Sequence, residues 1–292
     1  MNGATARVAV ACGCELGEGP QWHAVSGRLT WCDILGRRLH WLDPTSGETG
    51  HRALDQMVSL AVPIAGGGML LVGEDRLARF DPTTGVLERF CDFEAGNPLT
   101  RGNDGRVDRH GSLWLSSMGK GAELGAGRLY RLHRGTLVEL RAGLTIPNAI
   151  CFSPGGEVAW FTDTASGVVM RWPLDREGWP LGEPAPWADF SAQPGNPDGA
   201  VVDAEGHLWL ALWGAGRVVR LDPQGREVDA ITLPTSQPSC PAFGGERLDR
   251  LYITTAREGM DAARWREEPD AGHLFVADPG VPGLAEPTLR LA

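Results

Sequence analysis

Short runs in which apolar and polar residues alternate recur along the whole chain, each opened by a glycine or polar turn. Six read alike: residues 27–33 (Gly-Arg-Leu-Thr-Trp-Cys-Asp), 67–73 (Gly-Gly-Met-Leu-Leu-Val-Gly), 111–117 (Gly-Ser-Leu-Trp-Leu-Ser-Ser), 156–162 (Gly-Glu-Val-Ala-Trp-Phe-Thr), 206–212 (Gly-His-Leu-Trp-Leu-Ala-Leu) and 249–255 (Asp-Arg-Leu-Tyr-Ile-Thr-Thr). A two-residue period is that of a half-buried β-strand. A second strand follows most of these and ends in a turn, as in 39–44 (Leu-His-Trp-Leu-Asp-Pro), 77–82 (Leu-Ala-Arg-Phe-Asp-Pro) and 218–223 (Val-Val-Arg-Leu-Asp-Pro). Asp accepts backbone hydrogens in such turns, Pro fixes φ, and a nearby Gly takes positive φ, which together predict hairpins.

The six segments start roughly every 40 to 50 residues, the spacing of propeller blades. The pattern predicts an all-β fold, a six-bladed β-propeller occupying residues 1–292 as a single domain. Two stacked β-domains are the competing architecture, but nothing resembling a linker breaks the repeat. Ring closure is expected to join an N-terminal strand at 6–10 to the blade holding the C-terminal strand near Leu274. Residues 258–269 are expected to form a short helix or loop before the last blade.

Composition narrows the function classes. The formal net charge is −10, so the surface repels phosphate backbones and nucleic acid is excluded as a partner. No apolar run reaches the roughly 18 residues of a membrane span. The first residues lack a basic start followed by an apolar run and a cleavage site, so a cytoplasmic protein is expected. The six cysteines are dispersed; Cys12-Gly-Cys14 is the one close pair. With no second pair at zinc spacing, they read as buried or bystander thiols. None of the seven histidines pairs with a serine in a nucleophile-elbow pattern. The tryptophans recur at strand positions and read as blade packing.

Four polar clusters stand where a strand does not need them. They are Glu18 between glycines in Leu-Gly-Glu-Gly-Pro-Gln-Trp, Arg101 with Asn103 and Asp104 in Arg-Gly-Asn-Asp-Gly, Asn148 in Ile-Pro-Asn-Ala-Ile, and Asp198 in Asn-Pro-Asp-Gly. Singly, each can be a turn or a capping residue. Together, Glu18, Asn148 and Asp198 offer only oxygens from blades one, four and five, a donor set for one divalent cation: Ca²⁺, Mg²⁺ or Mn²⁺, with Zn²⁺ and Fe²⁺ admissible. Three protein ligands leave coordination positions open for water and substrate, as catalytic rather than structural sites do. Arg101 and Asn103 supply the donors and acceptors that suit a hydroxyl-rich substrate.

These stretches, with residues 147–154, 197–209, 243–245 and 251–256, resemble the family named for senescence marker protein, gluconolactonase and luciferin-regenerating enzyme, over residues 16–257 or so. The resemblance implies a six-bladed propeller with a central metal held by Glu18, Asn148 and Asp198, and substrate contacts from Arg101 and Asn103. Residues 209–214 and 254–257 look closest to bacterial pentonolactone and hexonolactone hydrolases. Three positions depart from the family: Gly102 stands where Pro is frequent, and Ala149 where Gly is frequent. Gly121 stands near a substrate-contacting carboxylate that Glu123 could replace, so the loop at 118–127 is where substrate choice is expected to differ.

The expected activity is hydrolysis of a sugar (aldono) lactone to its aldonic acid, of gluconolactonase or pentonolactonase type, by a monomer. Asp198 is the candidate general base. One alternative is an aryl-esterase or organophosphatase propeller, which Trp213 suits but which makes little use of Arg101 and Asn103. Another is a non-enzymatic propeller, a calcium-binding protein or a scaffold module, and an interaction scaffold needs no oxygen-only triad pointing into the channel.

Overall fold

The computed structural model describes residues 4–291 and is a ring of six antiparallel blades. Two short strands, β1 (Ala4–Thr5) and β2 (Arg7–Val10), precede the first blade. Blade 1 comprises β3 (Gly17–His23), β4 (Arg28–Asp33), β5 (Arg38–Leu42) and β6 (Thr49–Ala53); blade 2 comprises β7 (Leu60–Pro63), β8 (Met69–Val72), β9 (Arg76–Phe80) and β10 (Leu87–Asp92). Blade 3 holds β11 (Thr100–Val107), β12 (Leu113–Gly119), β13 (Gly127–His133) and β14 (Thr136–Leu144). In blade 4 they are β15 (Pro147–Phe152), β16 (Val158–Asp163), β17 (Val168–Pro173) and β18 (Ala185–Asp189). Blade 5 has β19 (Asn196–Val202), β20 (Leu208–Trp213), β21 (Arg217–Leu221) and β22 (Glu227–Thr232), and blade 6 has β23 (Pro238–Gly244), β24 (Arg250–Thr255) and β25 (Leu274–Ala277).

The first strands of the blades touch one another in sequence, β3 to β7 to β11 to β15 to β19 to β23, and β23 returns to β3. They form the inner wall of the ring. The six repeated segments found in the sequence are the second strands, β4, β8, β12, β16, β20 and β24, whose apolar residues face the neighbouring blades. Burial is divided accordingly into six hydrophobic clusters, one per blade-to-blade interface. Trp31, Trp114 and Trp209, on β4, β12 and β20, are fully buried in three of these interfaces, the packing role read from their strand positions.

The ring closes as expected. β2 pairs antiparallel with β25, with Arg7 opposite Val276 and Val8 opposite Phe275. The sequence gives no hint that β1 then crosses to blade 5 and runs parallel to β22. Helix α1 (Ala262–Glu267) lies within the segment expected to be helix or loop, its start fixed by the Asp261 carboxylate accepting from the Ala263 and Arg264 N–H groups. After β25 an irregular tail crosses the molecule. Pro282 accepts from Ala204 N, Leu289 pairs with residues 63–65, and Arg290 N donates to Gly111 O. It thus meets blades 5, 2 and 3 just beyond the C-terminal ends of their first strands. Among the described residues no helix is long and apolar enough to cross a membrane.

Candidate active site

Five of the six first strands carry the same irregularity. Three steps along the first strand match two along the second between Glu18 and Gln21, Gly102 and Gly105, Asn148 and Cys151, Pro197 and Ala200, and Pro238 and Pro241. Each is a β-bulge with one extra residue, a device that bends a strand and re-aims a side chain. Only β7 pairs without one. Every polar cluster singled out in the sequence falls on such a bulge. The Asn-Asp-Gly and Pro-Asp-Gly stretches that look like turns are therefore interrupted inner strands, and the interruption is what turns their side chains toward the axis.

Glu18, Arg101, Asn103, Asn148 and Asp198 line one cavity of about 430 Å³ at the N-terminal ends of the inner strands. Residues 146, 164, 196 and 213 line it too, and its mouth is formed by residues of the 118–122 segment and by Glu258. A larger open depression of about 1070 Å³, between Arg79 and Arg290, lies at the tail end of the ring. None of its acidic residues is buried.

A hydrogen-bond chain orients the cavity's polar groups. The Asn103 amide donates to Pro147 O (3.1 Å) and to Asn148 Oδ1 (3.0 Å), while its Oδ1 accepts from the Arg101 guanidinium at 2.9 Å. Arg101 also donates to Gly102 O at 2.9 Å. Asn148 Nδ2 donates to Thr164 Oγ1 (2.9 Å), whose hydroxyl is committed as donor to Pro197 O (2.7 Å). The network leaves no freedom in which way either amide points. Both Asn103 amide hydrogens are engaged, so this residue positions Arg101 and Asn148, and a lone pair on its Oδ1 is left unused.

Beneath them, the Asp104 carboxylate accepts from Gly105 N (2.7 Å) and from Ile150 N (2.8 Å). Ile150 follows the bulge residue Ala149, whose φ is +56°. Asp104 thus supports its own loop and reaches across from blade 3 to blade 4.

The electrostatics are those of negative charge confined with too little compensation. Burial raises the Glu18 carboxyl to about 8, reinforced by the nearby Asp104 and opposed by the Gly19 N–H and Arg101. Burial likewise raises Asp198 well above the usual carboxylate range, with Glu18 and then Asp104 adding repulsion. Glu18 accepts from Gly19 N at 2.9 Å. Among the described residues, no hydrogen bond offsets the charge of Asp198. Two buried carboxylates and an amide oxygen facing one cavity form an all-oxygen donor set, and a hard divalent cation fits it in charge and chemistry.

Two residues depart from expectation at the mouth. Glu123 does not line the cavity: it is exposed, and its carboxylate accepts from Gly121 N at 3.1 Å in its own turn. Glu258 lines the mouth, raised by burial while Arg101 lowers it. Nothing in the sequence marks it, because Arg-Glu-Gly after a strand has the composition of a solvated turn.

Residues 16–257 match the family described as SMP-30/Gluconolactonase/LRE-like region. The chain belongs to that family. A solved structure titled as a calcium-binding protein, regucalcin, from Agrobacterium tumefaciens is similar to this SMP-30/gluconolactonase-like protein at 40% identity and a TM-score of 0.95, covering 99% of this chain and 98% of that one. The 6-deoxy-6-sulfogluconolactonase of Pseudomonas putida is 36% identical over 93% of this chain and 94% of its own length. The L-arabinolactonase of Azospirillum brasilense is also 36% identical, over 95% of this chain and 92% of its own.

Proposed function

We propose that this chain hydrolyses a sugar lactone to the open hydroxy acid, with one divalent cation held by Glu18, Asn148 and Asp198. The observation that carries the reading is the pair of buried, mutually repelling carboxylates facing a cavity that also holds Arg101 and the Asn103–Asn148 chain. Relatives named as lactonases, similar over nearly their whole length, support the reaction class. The titled calcium-binding neighbour supports a divalent cation.

When bound, the cation supplies Lewis acidity toward the lactone carbonyl and makes a water easier to deprotonate. Asp198, with no donor of its own to satisfy it, accepts the proton of the attacking water as that oxygen bonds to the carbonyl carbon. It then returns the proton to the ring oxygen as the ester C–O bond breaks. Asn148 contributes an oxygen whose direction Asn103 and Thr164 dictate. Arg101 keeps guanidinium N–H groups beyond those bonded to Gly102 and Asn103. Held in a low-dielectric cavity, they stabilise charge developing on the carbonyl oxygen. Six-carbon and five-carbon aldonolactones, with a hydroxyl on nearly every carbon, use the polar lining better than aryl esters do.

The test is a proton-release assay over a panel of pentono- and hexonolactones, with phenyl acetate for contrast, after chelation and with Ca²⁺, Mg²⁺, Mn²⁺ or Zn²⁺ restored. Asp198→Ala and Glu18→Ala are expected to lower kcat/KM by at least about 100-fold. Near-wild-type turnover in both variants, or undiminished turnover after complete chelation, overturns the proposal.

A further inference from the structure

Beside the start of β3 and the end of β4, a second set of ligand-type side chains meets where the ring closes. The link between β2 and β3 contains Cys12-Gly-Cys14, and a turn at Gly13 (φ +61°) brings the two Sγ atoms to 3.6 Å. That link is pinned to the loop before β25: Gly13 N donates to His273 Nδ1 at 3.1 Å and Cys14 N to Gly272 O at 2.7 Å. Cys14 Sγ lies 3.7 Å from His40 Nε2, and the His40 ring is held by stacking on Trp31 at 5.2 Å and 15°. Asp33 completes the group; one ligand atom from each of Cys14, Asp33 and His40 lies within 4.8 Å of the others, and all three residues are buried. The Asp33 carboxylate is itself oriented, its Oδ1 accepting from Leu16 N (3.1 Å) and Gly36 N (3.0 Å).

The spacing has chemical content. A tetrahedral zinc with Zn–S near 2.3 Å and Zn–N near 2.0 Å places its ligand atoms about 3.8 Å apart for two sulfurs and about 3.5 Å apart for sulfur and nitrogen. The 3.7 Å between Cys14 Sγ and His40 Nε2 is the second of these edges, while the Cys12 thiol, 3.6 Å from Cys14 Sγ, donates to Gly272 O at 3.3 Å. The other buried cysteines, Cys32, Cys151 and Cys240, are in no such group among the described residues. A thiol used only to fill a core needs neither a second sulfur nor an imidazole beside it.

We propose that Cys14, Asp33 and His40 form a second cation site, distinct from the channel cavity, that takes a thiolate-seeking borderline cation of the zinc class, with Cys12 as the neighbouring thiol. Binding displaces the proton of the Cys14 thiol. The filled site ties the β2–β3 link to β4 and β5, bracing the ring where its two ends meet.

The experiment uses the full-length protein, kept reduced with a phosphine, stripped by chelator and titrated with Co²⁺. An oxygen-only site cannot give thiolate-to-cobalt charge transfer, so that band reports this site alone. It is expected to saturate at one Co²⁺ per chain, to disappear on Zn²⁺ addition and in Cys14→Ser, to weaken in His40→Ala, and to persist in Asp198→Ala. With the channel site disabled, Zn²⁺ is expected to raise the Tm of Asp198→Ala and not that of the double variant Asp198→Ala with Cys14→Ser. Absence of the band, or its survival in Cys14→Ser, overturns the proposal. Should Cys14→Ser fail to fold by circular dichroism, His40→Ala carries the test, and an undiminished band in that variant overturns the proposal.

Discussion

At the scale of single residues, the channel carboxylates make a statement about linkage. Glu18 has a folded-state value of about 8 against an ordinary 4.5, and Asp198 is raised in the same sense. Between those limits the folded, cation-free chain keeps protons that the unfolded chain has released. Stability from these groups is therefore complete below the unfolded value and is lost as pH rises through the folded one. A cation that needs both carboxylates ionised must expel those protons, and its charge removes the repulsion that raised them. Chelated protein is accordingly expected to lose Tm across the window from 4.5 to 8 relative to cation-loaded protein, whose profile is flatter. Titration of Ca²⁺ or Mn²⁺ at pH 6, in buffers of different ionisation enthalpy, should show release of about one to two protons per cation. Identical pH profiles with and without cation, and no proton release, would count against Glu18 and Asp198 as ligands.

At the scale of elements, the inner strands are where the site is made, and their bulges are stabilised by groups from neighbouring blades. Asp104 is the clearest case, because the extra residue at Ala149 takes Ile150 N out of the ladder and the Asp104 carboxylate accepts from it. Asp104→Ala leaves two buried N–H groups without an acceptor. It is expected to cost about 2–4 kcal/mol, read by denaturant melting, and to lower kcat by disturbing Asn148 and Asn103. Asp104→Asn, which keeps one acceptor oxygen, should recover part of both losses. A melt of Asp104→Ala coinciding with wild type would show that the contact is dispensable.

The same strands explain what the sequence disclosed and what it hid. The second strands could be read directly, because their alternation is unbroken and each begins at a turn, and from them the blade count follows. The first strands carry Gly, Pro, Asn and Asp and so resemble turns. They do so because they crowd the axis: a Cβ at Gly199 would lie 2.4 Å from Cys240 Sγ, and one at Gly19, where φ is +56°, 2.4 Å from Ser59 O. Residue types that usually mark a chain reversal are here what the crowding requires at these positions of the bulged inner strands. The site residues were legible as a set because three oxygen donors recurred at blade spacing. Glu258 and the orienting role of Thr164 were not, since both depend on which loop faces which across the ring.

At the scale of the whole molecule, a ring of blades must also be held at the end away from the site, and the tail after β25 supplies that contact. Arg106, near the C-terminal end of β11, donates to Ile150 O (3.1 Å) on β15 and Ala200 O (2.8 Å) on β19, and forms an ion pair with Glu286 of the tail. One buried guanidinium thus joins blades 3, 4 and 5 to the last residues of the chain. It sits five residues from Arg101 along the same strand, about 16 Å from the catalytic end. Nothing in the alternation of the sequence announces this role, because residues 280–291 have no strand pattern. Removing only the carboxylate leaves a buried charge without its counter-ion. Glu286→Ala is therefore expected to destabilise by about 3–5 kcal/mol while leaving kcat/KM near wild type at temperatures below the lowered Tm. Replacing both partners, Arg106→Met with Glu286→Ala, removes the unpaired charge and should restore part of the lost stability. A Glu286→Ala protein that melts normally would mean that the tail rests on the ring without bracing it. One that keeps its Tm but loses activity would mean that the two ends of the channel are coupled, contrary to the separation of bracing and catalysis drawn from the positions of Arg106 and Arg101.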